Sequence, residues 1–100
     1  MRLTPEQRGR IVRIVRDHAG ADASVWLYGS RTSDGSRGGD VDLLIRSSRA
    51  IDVGEQAEIQ ARLERELSLP VDVTFIDPDR GMNRFQRLAA AKAVPVEAQP

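Results

Sequence analysis

The sequence predicts an α/β fold of the mixed α+β kind: a small mixed β-sheet with helices packed against it. Stretches opening at Thr4 and Glu55 repeat apolar residues at helical spacing. Runs opening at Ser24, Asp40 and Pro70 are short, apolar and rich in β-branched or aromatic residues, as strands are. The order that results is helix, strand, strand, helix, strand, helix, with no internal repeat and no low-complexity tract.

The first helix opens at Thr4-Pro5-Glu6-Gln7. Thr4 can cap, Pro5 suits the first helical position, and Gln7 completes a capping box. Ile11, Val12 and Val15 form its apolar stripe, and Gly20 ends it. Ser24 to Tyr28 reads as a buried strand, with Trp26 and Tyr28 in core or half-core positions. Ser30 to Gly39 is a Gly-, Ser- and Arg-rich loop, which a chain this short is expected to keep for function. Asp40 to Arg46 is the second strand, and Ser47 to Gly54 a turn region. In the helix Glu55 to Leu67, Ile59, Leu63 and Leu67 recur every four residues. Glu58 and Arg62 have ion-pair spacing there, and Arg62, Glu64, Arg65 and Glu66 read as a solvated face. Pro70 to Ile76 is a third strand whose Val71, Val73 and Phe75 alternate as a buried set, and Asp77-Pro78-Asp79 breaks it. Asn83 to Lys92 is a last helix with Phe85, Leu88 and Ala89 facing inward. Val94 to Val96 can add a short edge strand, and residues 96–100 are expected to form a frayed tail.

The 100 residues are read as a single domain, 1–100, with one modest core. Forty per cent hydrophobic and 30% charged is ordinary for a soluble globular protein. Fifteen basic and 15 acidic residues cancel, which argues against a general nucleic-acid coat protein but leaves room for a local cationic pocket. With no cysteine there is no disulfide frame, thiol nucleophile or Cys-based zinc site. Residues 1–10 are polar, and no stretch approaches the roughly 20 apolar residues of a membrane span. A cytoplasmic location without membrane contact is the expectation.

Chemistry concentrates at Gly29-Ser30-Arg31, followed by Asp40-Val41-Asp42-Leu43. Side chains alternate along a strand, so Asp40 and Asp42 share a face, roughly 7 Å apart. Two anions there repel, and Mg²⁺ is the natural cation for an all-oxygen site. Gly29 and Ser30 offer backbone N–H groups and a hydroxyl, which suit phosphate. Asp72, on the face of the third strand opposite Val71 and Val73, joins the other two aspartates if that strand pairs with the second. An unpaired carboxylate beside apolar neighbours would be costly there. Three carboxylates, a nucleotide and two metal ions make a workable phosphoryl- or nucleotidyl-transfer site, with Asp72 accepting the proton of an incoming hydroxyl.

Plainer roles stand beside these. Asp40 and Asp42 could be solvated residues of an edge strand, and Ser30 an N-cap. Arg31 and Arg37 could neutralise phosphate charge or pair with Asp34. His18, the only histidine, suits a helix C-terminus. Asp77 and Asp79 serve the turn and the next helix cap.

Gly29-Ser30-Arg31, Gly38-Gly39-Asp40-Val41-Asp42-Leu43 and Val71-Asp72-Val73 together resemble the minimal (MNT-type) nucleotidyltransferases of the polymerase-β superfamily. The resemblance is strongest from Val25 to Ile76. Ser30 and Asp40 stand one residue closer than in the commonest family pattern, and Gly39 replaces a frequent serine. The resemblance implies a small mixed sheet and transfer of NMP, AMP from ATP in the leading case, to a hydroxyl with Mg²⁺. It assigns the triphosphate to Gly29 and Ser30, with Arg31 beside them, and the metals and catalysis to Asp40, Asp42 and Asp72. Many short members are antitoxins that adenylylate a tyrosine of a HEPN-domain toxin, as in a type VII-like toxin–antitoxin pair. The chain shows no added helical domain for an acceptor, so a partner protein is the expected acceptor. A non-catalytic antitoxin that neutralises by complex formation, and transfer to a small molecule or an RNA end, are the alternatives.

Overall fold

The computed structural model of the chain describes residues 3–28 and 41–97. Its elements are helix α1 (Pro5–Ala19), strands β1 (Ser24–Tyr28) and β2 (Val41–Arg46), helix α2 (Val53–Leu67), strand β3 (Val71–Ile76), helix α3 (Arg84–Lys92) and the short strand β4 (Val94–Pro95). The sheet order is β3-β2-β1-β4. β1 runs antiparallel to β2 and β4, and β2 runs parallel to β3, so the sheet is mixed as expected.

Local chemistry sets the helix ends. Thr4 Oγ1 accepts from the Gln7 N–H at 3.0 Å, and Gln7 Oε1 accepts from the Thr4 N–H at 2.8 Å, which closes the capping box. Gly20 ends α1 at φ 111°, where a side chain would be strained. α2 starts two residues earlier than the periodicity suggests. The Asp52 carboxylate caps it by accepting from the Glu55 N–H at 2.8 Å. Asn83, rather than Asp79, caps α3 through a second box with Gln86. Asp77 serves the turn, its Oδ1 accepting from the Asp79 N–H at 2.8 Å.

Alternation along the strands divides the sheet into two faces. Val25, Leu27, Val41, Leu43, Ile45 and Val71 join Ile11, Ile14 and Val15 of α1 and Ile59, Leu63 and Leu67 of α2 in one buried cluster. Val73 and Phe75 pack against it. α3 covers the other face, where Trp26 and Leu44 border a small apolar slot shared with Ile76, Met82 and Ala90. Among the described residues no helix is long and apolar enough to cross a membrane.

Several expectations are corrected. Val96 belongs to the core rather than to a frayed tail: it is 1% exposed, and its N–H donates to Val25 O at 2.9 Å. Glu97 is also held, by Arg16 at 2.7 Å. Phe85 and Leu88 are not buried, although the Phe85 ring meets Tyr28 of the sheet edge-on. They are 56% and 63% exposed, and the buried residue of α3 is Gln86. Arg62 reaches Asp17 at 3.5 Å and the His18 ring at 3.4 Å, across to α1 instead of along its own helix to Glu58. Glu64 is not merely solvated, because its carboxylate accepts from the Val71 N–H at 3.0 Å.

Candidate active site

Asp42 is the second residue of β2, and Asp72 the second of β3. The parallel register pairs them directly, Val41 with Val71 and Asp42 with Asp72. Neighbouring strands lie about 4.8 Å apart, and register partners point to the same face, so the two carboxylates stand side by side. On the other flank of β2, Tyr28 is the antiparallel partner of Asp42. Tyr28, Asp42 and Asp72 therefore form one row across three strands, at the end of the sheet where β1 stops and β2 and β3 begin.

The backbone under this row is held at several points. The Val41 N–H donates to Pro70 O at 2.9 Å, which extends the β2–β3 ladder beyond the strand ends. Glu64 takes the Val71 N–H, so α2 fixes the residue before Asp72. Tyr28 Oη lies 3.3 Å from Thr74 Oγ1. Since Tyr28 is on β1 and Thr74 on β3, the phenol crosses β2, on the inner side of Asp42. Phe85 of α3 meets that ring edge-on, with centroids 6.2 Å apart and planes at 75°. The carboxylates are thus backed by a hydrogen-bonded aromatic wall.

Asp42 is half-buried, and Asp72 is exposed. The exposure of Asp72 corrects the sequence argument, because water rather than apolar side chains surrounds it and no burial cost arises. It leaves an acidic group open to an incoming substrate. Among the described residues no group of three or more His, Cys, Asp or Glu side chains could by itself hold a metal. What is present is a pair of adjacent carboxylates, a hard-oxygen donor set that suits a divalent cation such as Mg²⁺ once further oxygen ligands join it.

Gly29, Ser30, Arg31 and Asp40, with Asp34, Arg37 and the rest of 29–40, lie outside the described residues. Their neighbours Tyr28 and Val41 both sit at the carboxylate end of the sheet. His18 lies in the last turn of α1 and contacts Arg62. A cleft of about 300 Å³ lined by Ser24, Arg46, Ile76 and Asp77 lies at the opposite end of the strands. Sequence reasoning missed Thr74 and Glu64. Thr74 follows Asp72 by two and so shares its face, a usable signal, whereas a helical glutamate gives none.

Residues 8–94 match the family model described as nucleotidyltransferase domain. Solved structures of similar fold include chains of toxin–antitoxin assemblies. A chain of the MntA–HepT crystal structure aligns over 96% of this chain and 74% of its own length, with 14% identity and a TM-score of 0.72. A chain from the tri-AMPylated Shewanella oneidensis HEPN toxin in complex with MNT antitoxin aligns over the same shares, with 15% identity and a TM-score of 0.72. A chain of a toxin–antitoxin structure with AMP-PNP aligns over 97% of this chain and 75% of its own, with 17% identity and a TM-score of 0.76. At such identities the likeness is one of fold. No curated protein matches the sequence.

Proposed function

This chain belongs to the nucleotidyltransferase domain family, and from that premise we propose that it moves AMP from ATP to a tyrosine hydroxyl of a HEPN-type toxin. In this reading it acts with Mg²⁺ in the cytoplasm, as the antitoxin of a type VII-like pair. The observation that carries the proposal is the in-register pairing of Asp42 and Asp72 on parallel neighbours. The fold it shares with chains of HEPN toxin complexes supports the choice of partner.

Asp42 and Asp72, with Asp40 completing the set, would hold the metal. Bound Mg²⁺ would supply positive charge against the phosphate oxygens and the departing pyrophosphate. Gly29 and Ser30 would bind the triphosphate through backbone N–H groups and a hydroxyl, with Arg31 adding charge. Asp72, open to solvent, is the group an acceptor can approach. In the transfer, the acceptor oxygen bonds to the α-phosphorus and the α–β phosphoanhydride bond breaks. Pyrophosphate leaves, and the hydroxyl proton passes to Asp72 and on to water. Tyr28, held by Thr74 and Phe85, flanks the inner side of the row.

The test is transfer from ATP labelled at the α-phosphate to a purified HEPN-domain protein, with mass analysis of the product. The expected result is a toxin heavier by AMP. Asp42→Asn should lower the rate at least about a hundredfold, since it removes charge placed for the transition state, and should leave folding nearly unchanged. Undiminished transfer by Asp42→Asn contradicts the two-carboxylate mechanism. Neutralisation of the toxin by an Asp40→Asn, Asp42→Asn double variant would instead favour complex formation. Label on RNA or a small molecule would move the acceptor to another class.

A further inference from the structure

We propose that the outward face of α3 is the seat of the protein acceptor, and that it receives an apolar surface bordered by carboxylates. The inference rests on the protein-acceptor reading above and adds where on this chain the acceptor sits.

α3 is turned against its own composition. Its buried residue is Gln86, backed by half-buried Ala89 and Ala90, while Phe85 and Leu88 stand 56% and 63% exposed. They are three residues apart and so share a side of the helix. Orientation is not left to chance, because Gln86 closes the capping box with Asn83 and its Nε2 donates to Phe75 O at 3.2 Å. A helix fixed with its large apolar groups in water forgoes their burial within the chain and offers it to something else.

Charge identifies what fits. Arg84, Arg87 and Lys92 are exposed on α3, which carries no acidic residue, although the whole chain is neutral. A complementary surface is apolar with an acidic rim. A second copy of the same face would set these cations against one another. RNA would gain from the cations and from the exposed Phe85 ring, but that ring is already engaged edge-on by Tyr28 and Leu88 beside it offers neither a stacking plane nor a hydrogen bond to a base. Position links the patch to the chemistry: the Phe85 ring meets Tyr28, the strand partner of Asp42. A protein seated on α3 therefore has its surface beside the carboxylate row, where its hydroxyl must arrive.

The experiment is steady-state transfer of labelled AMP to a purified HEPN-domain protein by the unaltered chain, Leu88→Glu, Arg84→Glu and the conservative Leu88→Met. The inference expects the acceptor KM to rise about tenfold or more in Leu88→Glu, the loss of one strong contact. Arg84→Glu should raise it too, with a weaker salt dependence, and Leu88→Met should behave as the unaltered chain. The KM for ATP, kcat at saturating acceptor and the unfolding midpoint should stay unchanged. An acceptor KM within twofold in both Glu variants overturns the inference and leaves the functional reading intact. So does a Leu88→Glu variant that only dissociates a homodimer, or one in which kcat falls instead. Absence of label from the HEPN protein, or label on RNA alone, overturns the functional reading and this surface with it.

Discussion

Asp72 shows how a residue's role follows from register more than from its immediate surroundings. Its neighbours in sequence are apolar, yet it is exposed, and what gives it meaning is Asp42 beside it. That pairing was legible in the sequence: Asp40-Val41-Asp42 and Val71-Asp72-Val73 each place a carboxylate on the face opposite a buried valine. The exposure was not, because it depends on how far α3 reaches along that face. Long-range side-chain partners were equally hidden. Arg16 grips Glu97 through two bonds of 3.0 and 2.7 Å across 81 positions, and no local pattern announces them. The hydrogen bonds from Arg16, and then its charge, hold the Glu97 carboxyl below the usual glutamate range. The folded state therefore binds fewer protons than the unfolded one at acid pH. Stability from this pair is present above the ordinary glutamate value of about 4.3 and is lost as pH falls through the lowered folded value. Glu97→Gln should have a slightly lower unfolding midpoint than the unaltered chain at pH 7, and the gap should close on acidification below about pH 4. A gap that is constant from pH 7 to pH 3 would contradict the pairing.

At the scale of elements, spacing found the helices and strands to within a residue or two, and the capping box at Thr4 located the start of α1 outright. It failed on which side of α3 faces in. Periodicity assigns large apolar groups to the core, but Gln86 displaces Phe85 and Leu88 because it satisfies two backbone groups at once, the Asn83 N–H and Phe75 O. Gln86→Ala should therefore cost about 1–3 kcal/mol, more than an exposed helical substitution, since it strands polar groups and opens the cap. The unfolding midpoint should fall by roughly 4–24 °C. A loss below about 0.5 kcal/mol, the range of surface changes, would show that another contact orients the helix. The chain end was misjudged for a related reason. The short strand at Val94 was legible, but the burial of Val96 just beyond it was not, because that burial is set by distant groups, Val25 and the α1 face.

For the whole molecule, the mixed sheet does the placing. The α2 crossover makes β2 and β3 parallel, so both strands start at the same end of the sheet, and β1 finishes there. Tyr28, Asp42 and Asp72 therefore meet at one edge, and segment 29–40 departs from and returns to it. The fold class and the meeting of the two described aspartates could be read from element order and alternation; the facing of α3 and the Glu64 anchor needed three dimensions. Neutral net charge likewise concealed a cationic helix.

The central claim is that this edge binds a nucleotide and a divalent cation together through Asp42. The most direct measurement is a thermal-unfolding scan with ATP, with Mg²⁺, with both and with neither. A ligand at 100 times its dissociation constant stabilises by about 2.7 kcal/mol, or roughly 10–20 °C for a domain of this size. A rise of that order that requires both ligands and is missing in Asp42→Asn is the predicted result. No rise with both ligands, or an equal rise in Asp42→Asn, would contradict it.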